Sequence, residues 1–159
     1  MEAISVSLPD LVSRFRRAAV LAAAVLWGSL QVTAAHSADV VVRVTGIAVP
    51  LGQIGCSLFK DDKGFPMDHS AASVQWQPAS GSGVTCRFTQ VAVGRYAVSA
   101  AHDSNDNRRV DTNFLGIPTE QWGVSGNVRP RLRAPTFDEA VFTVAADSGE
   151  MVIDIKVAK

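Results

Sequence analysis

The stretch Val84-Thr85-Cys86-Arg87-Phe88-Thr89 decides how the rest of the chain is read. Apolar and polar residues alternate strictly, so Val84, Cys86 and Phe88 share one face of an extended segment and Thr85, Arg87 and Thr89 the other. The same period of two recurs on both sides. Upstream, Val40, Val42 and Val44 alternate with Val41, Arg43 and Thr45; downstream, Tyr96, Val98 and Ala100 alternate with Ala97, Ser99 and Ala101. Near the C-terminus Met151, Ile153, Ile155 and Val157 face one way, while Val152, Asp154 and Lys156 face the other. Turn residues separate these runs: Asp61-Asp62-Lys63-Gly64, Ser80-Gly81-Ser82-Gly83, Val93-Gly94 and Asp147-Ser148-Gly149. About seven strands are predicted, at 39–47, 53–60, 72–77, 83–90, 94–102, 140–145 and 150–157. Short alternating strands in this number point to an all-β fold, a single antiparallel β-sandwich of immunoglobulin-like or transthyretin-like type.

The 159 residues carry 15 Lys+Arg against 15 Asp+Glu, a formal net charge of zero, and 47% of them are hydrophobic. The length is one domain's worth, and the apolar content is too high for intrinsic disorder. Neutrality removes the electrostatic case for nucleic-acid binding. The first 38 residues read as a signal peptide. Arg14, Arg16 and Arg17 form a basic region, an apolar stretch follows at 18–27, and small residues after it allow cleavage behind Ala35, Ser37 or Ala38. The apolar run is shorter than the roughly 20 residues that span a bilayer, so a retained anchor is the weaker alternative and no span is expected after processing. The mature domain is then 39–159, periplasmic or secreted.

Both cysteines, Cys56 and Cys86, fall in the exported part. An even count in an oxidising compartment reads as a disulfide. Cys86 is on the apolar face of its strand, and Cys56 shares a face with Ile54 and Leu58. Two such cysteines bridge either neighbouring strands or the two sheets, and closing the loop between them is worth about 3.5 kcal/mol in the chain-entropy picture. The alternative is a pair of reduced, buried small hydrophobes.

Residues 103–139 resist the period-two pattern. Unstructured connections beyond about 12–15 residues are uncommon in compact domains, and Phe114, Leu115, Ile117, Trp122 and Phe137 make this one too apolar to be disordered. An ordered excursion packed on the sandwich is expected, with a short helical turn near 136–140. It begins His102-Asp103-Ser104-Asn105-Asp106-Asn107-Arg108-Arg109-Val110-Asp111. Asp103, Asn105, Asn107 and Asp111 stand at positions 1, 3, 5 and 9 of a calcium-loop spacing, with the Arg109 carbonyl at position 7. Calcium takes 6–8 oxygen ligands, which short carboxylate and amide side chains at alternate positions supply. Arg108 stands where a sharp turn prefers Gly, and Phe114 where a bidentate Glu is usual. The competing reading uses the same side chains without a metal, as Asx turns bonded to local N–H groups.

Gly94-Arg95-Tyr96-Ala97-Val98, His102-Asp103 and Asp111-Thr112-Asn113-Phe114-Leu115-Gly116-Ile117-Pro118-Thr119-Glu120 resemble the bacterial domain-of-unknown-function 2141 family. Trp122-Gly123, Ser125-Gly126-Asn127, Arg129, Arg131 and Ala134-Pro135-Thr136-Phe137-Asp138-Glu139-Ala140 extend the likeness, as do Leu58-Phe59 and Gly64-Phe65-Pro66. The resemblance covers nearly all of 39–157. It implies a small exported β-sandwich whose loop commonly reads His-Asp-x-Asn-x-Asn-Gly-x-x-Asp, and it implies no particular activity.

Remaining chemistry is sparse. No Gly-x-Ser-x-Gly, His-Glu-x-x-His or phosphate loop occurs. His102 reads as a structural histidine anchoring the excursion. Arg129, Arg131 and Arg133 share a face if their segment is extended, as a clamp for an anion or as a row paired with Asp138 and Glu139. Trp76 and Trp122 are core anchors or sugar-stacking platforms. The expectation is an exported, non-catalytic binding module for a protein or envelope saccharide, with calcium its only candidate cofactor. The rival is an enzyme or small-ligand carrier working in the cleft between the 103–139 excursion and the sheet. Its polar lining would be His102, Trp122, Arg129 and Arg131.

Overall fold

Alternation of apolar and polar residues requires a sheet with two unlike faces, and the chain builds two such sheets. The computed structural model describes residues 36–115 and 117–159. The expected signal segment lies outside these residues except for its last three. Among the described residues eight strands form: β1 (Ser37–Thr45), β2 (Gln53–Phe59), β3 (Ser73–Pro78), β4 (Val84–Ala92), β5 (Gly94–Asp103), β6 (Trp122–Val124), β7 (Phe142–Val144) and β8 (Glu150–Lys156). One sheet runs β4-β1-β8; the other runs β3-β2-β5-β6, with β7 on the first half of β5. Ala35–Lys159 forms one compact unit with its own core.

The alternating residues meet between the sheets. Val40, Val42 and Val44 of β1, Ile54 and Cys56 of β2, Cys86 and Phe88 of β4, and Val98 of β5 are all buried there. At roughly 25 cal/mol per Å² of apolar surface removed from water, this layer is the main stabilising term. Cys56 and Cys86 are disulfide-bonded and both fully buried. Because β2 and β4 belong to different sheets, the bridge staples the two halves of the sandwich. Of the two pairings the sequence left open, the inter-sheet one is formed.

Two features go beyond the sequence pattern. The sandwich is rich in antiparallel pairs, yet β1 and β8 run parallel, from Asp39 opposite Glu150 to Thr45 opposite Lys156. A period of two reports which face a residue occupies and carries no strand direction. The eighth strand, β6, arises inside the excursion, where three residues are too few to show a period. It pairs with β5 at Ser99, Ala100 and Ala101, and a Cβ on its Gly123 would lie 2.8 Å from both Ile155 Cγ2 and the Lys156 carbonyl.

The outer face of the second sheet is covered as well. Phe59 and Ala97 pack there against Val124 and against Phe137 and Ala140 of a one-turn α-helix, α1 (Phe137–Ala140). Phe65 joins edge-on to Phe59 at 5.3 Å and to Phe137 at 6.0 Å. Thr136 and Glu139 close α1 with a capping box. The excursion is therefore ordered and anchored by its own apolar cluster, and no described helix is long and apolar enough to cross a membrane.

Candidate functional site

The excursion starts where β5 ends. Asp103, its last residue, is fully buried. A buried carboxylate must be matched by donors, and the next turn supplies them. The main-chain N–H of Asn107 donates to Asp103 Oδ1 at 3.1 Å and that of Arg108 to Oδ2 at 2.6 Å. Asn105 Oδ1 accepts from the Asn107 N–H at 3.2 Å, and Asn107 Oδ1 from the Arg109 N–H at 2.8 Å. The amide groups of both asparagines then converge on one acceptor. Asn105 Nδ2 donates to Asp111 Oδ2 at 2.7 Å, and Asn107 Nδ2 to Asp111 Oδ1 at 2.9 Å. Asn105 and Asn107 thus converge on Asp111, Asp103 orders the turn through main-chain N–H groups, and Arg109 takes part through its N–H, not the expected carbonyl.

Arg108 adopts φ +58° and Asp106 φ +61°. This is the left-handed conformation that favours glycine, and it costs other residues about 1–2 kcal/mol. Position 6 therefore keeps the backbone of a glycine while carrying an arginine. The Arg108 guanidinium lies 6.0 Å from the Trp76 ring centroid, which offsets part of the strain.

Glu120 is the residue that pattern reading passed over. It is 6% exposed. Its Oε1 accepts from both the N–H and the hydroxyl of Ser104, each at 2.9 Å, and its Oε2 from the Asp111 N–H at 3.1 Å. One carboxylate thereby ties both ends of the polar loop together. Its position in the Asp111–Glu120 stretch quoted for the family likeness was the available signal. A tight tip separates Asp111 from Glu120: Asn113 Oδ1 accepts the N–H groups of Leu115 and Ile117, both at 3.0 Å, and the Thr119 N–H donates to the Asp111 carbonyl.

His102 does not join this cluster. It is buried, with Nε2 2.8 Å from the Leu51 carbonyl and Nδ1 3.3 Å from Gln121 Oε1. Gln121 in turn donates to the Gly46 carbonyl and accepts from the Ala48 N–H. The histidine thus holds the β1–β2 connection to the excursion. Trp122, Arg129 and Arg131 do come together, on a groove of about 660 Å3 that His102 does not line. The Arg129 guanidinium covers the Trp122 ring at 4.4 Å and bonds the carbonyls of Trp122 and Ala158. Arg133 forks onto Glu139 at 2.7 and 2.8 Å, which with the Thr136 N–H lowers the Glu139 pKa to about 2. Asp138 pairs with Arg95 instead.

A second polar pair, buried Ser57 with half-buried His69, lies on the outer face of β2. Ser57 Oγ is 2.7 Å from His69 Nδ1, and the ring stands edge-on to Trp76. Burial lowers the His69 pKa against the opposing pull of Asp68. Ser57 is fully buried, so this hydroxyl has no open path to a substrate. Among the described residues no group of three or more His, Cys, Asp or Glu is gathered as a metal-binding cluster; the polar loop offers two carboxylates supplemented by amides.

A family model described as an uncharacterized protein conserved in bacteria (DUF2141) matches residues 42–152. No curated protein and no solved structure matches the chain.

Proposed function

We propose that this chain, which belongs to the DUF2141 family of bacterial proteins, is an exported, non-catalytic binding module whose Asp/Asn loop takes calcium weakly. The observation that carries the reading is the convergence of Asn105 and Asn107 on the Asp111 carboxylate, above a buried Asp103 that orders the turn. Turning the two amides over would aim Oδ1 atoms, in place of N–H groups, at the point that Asp111 faces. Calcium would then find carboxylate and amide oxygens at the spacing it uses elsewhere. Turning the amides costs the two amide–carboxylate bonds and the two main-chain N–H bonds that their Oδ1 atoms now accept, so the affinity we propose is weak, near the roughly 10⁻⁴–10⁻³ M of extracellular modules.

Export is supported by the basic-then-apolar N-terminal segment and by a disulfide, which suits an oxidising compartment outside the cytoplasm. The non-catalytic reading is supported by where the polar groups go. Asp103, Glu120, His102 and Arg129 are each engaged by main-chain partners, which positions the excursion and leaves them little freedom to act on a substrate.

The test is thermal unfolding of the oxidised Ala35–Lys159 unit with calcium, magnesium or chelator. An ion bound only by the folded state stabilises it by mass action, about 1–2 kcal/mol at several millimolar for this affinity. A calcium-specific rise in Tm that Asp111→Ala abolishes supports the site. An unchanged Tm at several millimolar calcium refutes it.

A further inference from the structure

The chain is neutral as a whole, yet one surface gathers a single sign of charge. Arg129, Arg131, Arg133 and Lys159 all line the 660 Å3 groove, and no Asp or Glu lines it. Glu139, which Arg133 binds, offsets one of the four cations, and in the Ala35–Lys159 unit the α-carboxylate of Lys159 offsets another, leaving a net excess of two positive charges. The apolar part of this surface is equally unbalanced. On one tip Phe114 is 94%, Leu115 67% and Ile117 55% exposed; on the other Leu132, between Arg131 and Arg133, is 99% exposed. Leu115, Ile117 and Leu132 border the groove, so both tips and the cations belong to one surface. Clustered large apolar side chains held in water mark an interaction site. The first tip is held outward by the two N–H groups that Asn113 Oδ1 accepts and by the Asn113 N–H bonded to the Ile117 carbonyl.

We propose that this surface docks on an anionic phospholipid bilayer, Phe114, Leu115, Ile117 and Leu132 entering the acyl boundary and the cations lying at headgroup depth. The inference rests on reading the chain as a non-catalytic binding module and names the partner of its groove. Shape favours a bilayer over a peptide. Side chains as exposed as Phe114 and Leu132 suit a soft surface that receives them, whereas an extended peptide lying in the groove needs main-chain partners there. Pro66, Pro118 and Pro130 line the groove and have no N–H to offer. Charge favours it too. The Arg129 guanidinium is already bonded to neutral main-chain carbonyls and Arg133 is paired with Glu139, so neither is free as a fork for one carboxylate, and Arg129 acts through its field. A layer of anionic headgroups answers such a field. Shallow apolar insertion and a few cations are each weak membrane signals, and together they give reversible binding that salt weakens.

The experiment is co-sedimentation of the Ala35–Lys159 unit with vesicles of phosphatidylcholine alone and of phosphatidylcholine mixed with phosphatidylglycerol. Binding is expected only to the mixed vesicles, and to fall with added salt. The Phe114→Ser/Leu132→Ser variant should lose roughly tenfold or more of its partition coefficient, and Arg131→Glu should lose several-fold. All three positions are exposed, so unchanged Tm values are the check that these variants fold. Absence of binding to the mixed vesicles, binding indifferent to phosphatidylglycerol, or undiminished binding by the double variant overturns the proposal. So does preferential capture of a poly-glutamate peptide, which would make the occupant an acidic chain. A calcium-dependent rise in Tm without vesicle binding would refute the membrane partner and leave the calcium reading standing; vesicle binding without a calcium effect would do the reverse.

Discussion

Replacing Glu120 by Ala removes the one carboxylate that joins the start of the polar loop to Asp111. Three hydrogen bonds disappear: two from Ser104, and one from the Asp111 N–H. A hydrogen bond to a charged group contributes about 1.5–3 kcal/mol, but the three share one side chain and are not additive. Ser104 is exposed and its freed groups can turn to water, whereas the N–H of half-buried Asp111 is harder to rehydrate. Opposing this loss, the buried carboxylate no longer has to be desolvated. The expected net cost is about 2–3 kcal/mol, measured as a shift in urea midpoint at constant m. The Gln variant separates charge from shape. Its oxygen can still accept from Ser104, but its amide then points an N–H at the Asp111 N–H, so Glu120→Gln should lose at least half as much as Glu120→Ala. Hydrogen exchange should quicken at Asn107, Arg108 and Asp111 while Val42 and Val98 keep their protection. A loss under about 0.5 kcal/mol, or faster exchange spread evenly through the sandwich, would refute the claim that Glu120 ties the loop.

The other predictions concern the same loop and its support. At Arg108, Gly should be more stable than Ala by about 1 kcal/mol, because both lose the Trp76 contact but only Ala keeps the left-handed strain; thermal melts that rank Ala level with Gly would remove the strain argument. Replacing both cysteines by Ala should cost about 3.5 kcal/mol by denaturant titration, and a cost under about 1 kcal/mol would mean that the sandwich does not need its inter-sheet staple. Acid should act in two windows. His69 is held neutral by burial, so the unfolded chain binds the proton more readily and stability falls as pH drops below the ordinary histidine value of 6.5; His69→Gln should flatten that slope. Glu139 has its pKa lowered to about 2, so its contribution is complete above 4.5 and disappears as pH falls from there toward 2; Arg133→Gln should move that loss toward ordinary carboxylate pH. Finally, the proposed export predicts His36 as the first residue on N-terminal sequencing of the processed chain, since β1 begins at Ser37 and Ala38 is part of the core; a start at Asp39 would mean that the first two residues of β1 are dispensable.

The faces of the strands were legible from the sequence because each is fixed by neighbours two residues away. Cys56, Cys86, Val98 and Ile155 are all buried on the side that alternation assigns them. What pairs with what was less accessible. The parallel contact of β1 with β8 joins residues more than a hundred positions apart, and neither strand's pattern encodes its partner or direction. Strand β6 exists because β5 offers it an edge at Ser99, Ala100 and Ala101 and because Gly123 lets it approach Ile155. Trp122-Gly123-Val124 alone shows no period. The excursion's order was readable from its large apolar residues, and Phe137 supplies it by packing with Phe65. Phe114 and Leu115 belong to the same count of apolar groups yet lie in water, so composition gave the right inference while misjudging which residues carry it.

For the polar loop the sequence left two readings standing, and geometry explains why spacing could not separate them. An Asx turn and a calcium loop make the same demand on the backbone: a short oxygen-bearing side chain at every second residue and a left-handed residue in the middle. Asp103, Asn105 and Asn107 meet it, and Arg108 accepts the left-handed position despite its side chain. The two readings differ in which end of each amide faces Asp111, and so in whether its Oδ1 accepts a main-chain N–H or faces an ion; residue type does not determine that. They differ energetically as well. Each N–H that Asp111 now accepts is a bond that an ion must replace, so the stronger the self-bonded loop, the weaker the calcium affinity. Glu120 acts on the other side of this balance, because it fixes Ser104 and Asp111 without facing the point where the amides converge. It lowers the entropy cost of ordering the loop in either form. Loss of Glu120 should therefore weaken calcium binding in addition to loosening the loop, while loss of the Asn105 amide donor (Asn105→Asp) should strengthen calcium binding by adding a carboxylate and removing a competing bond.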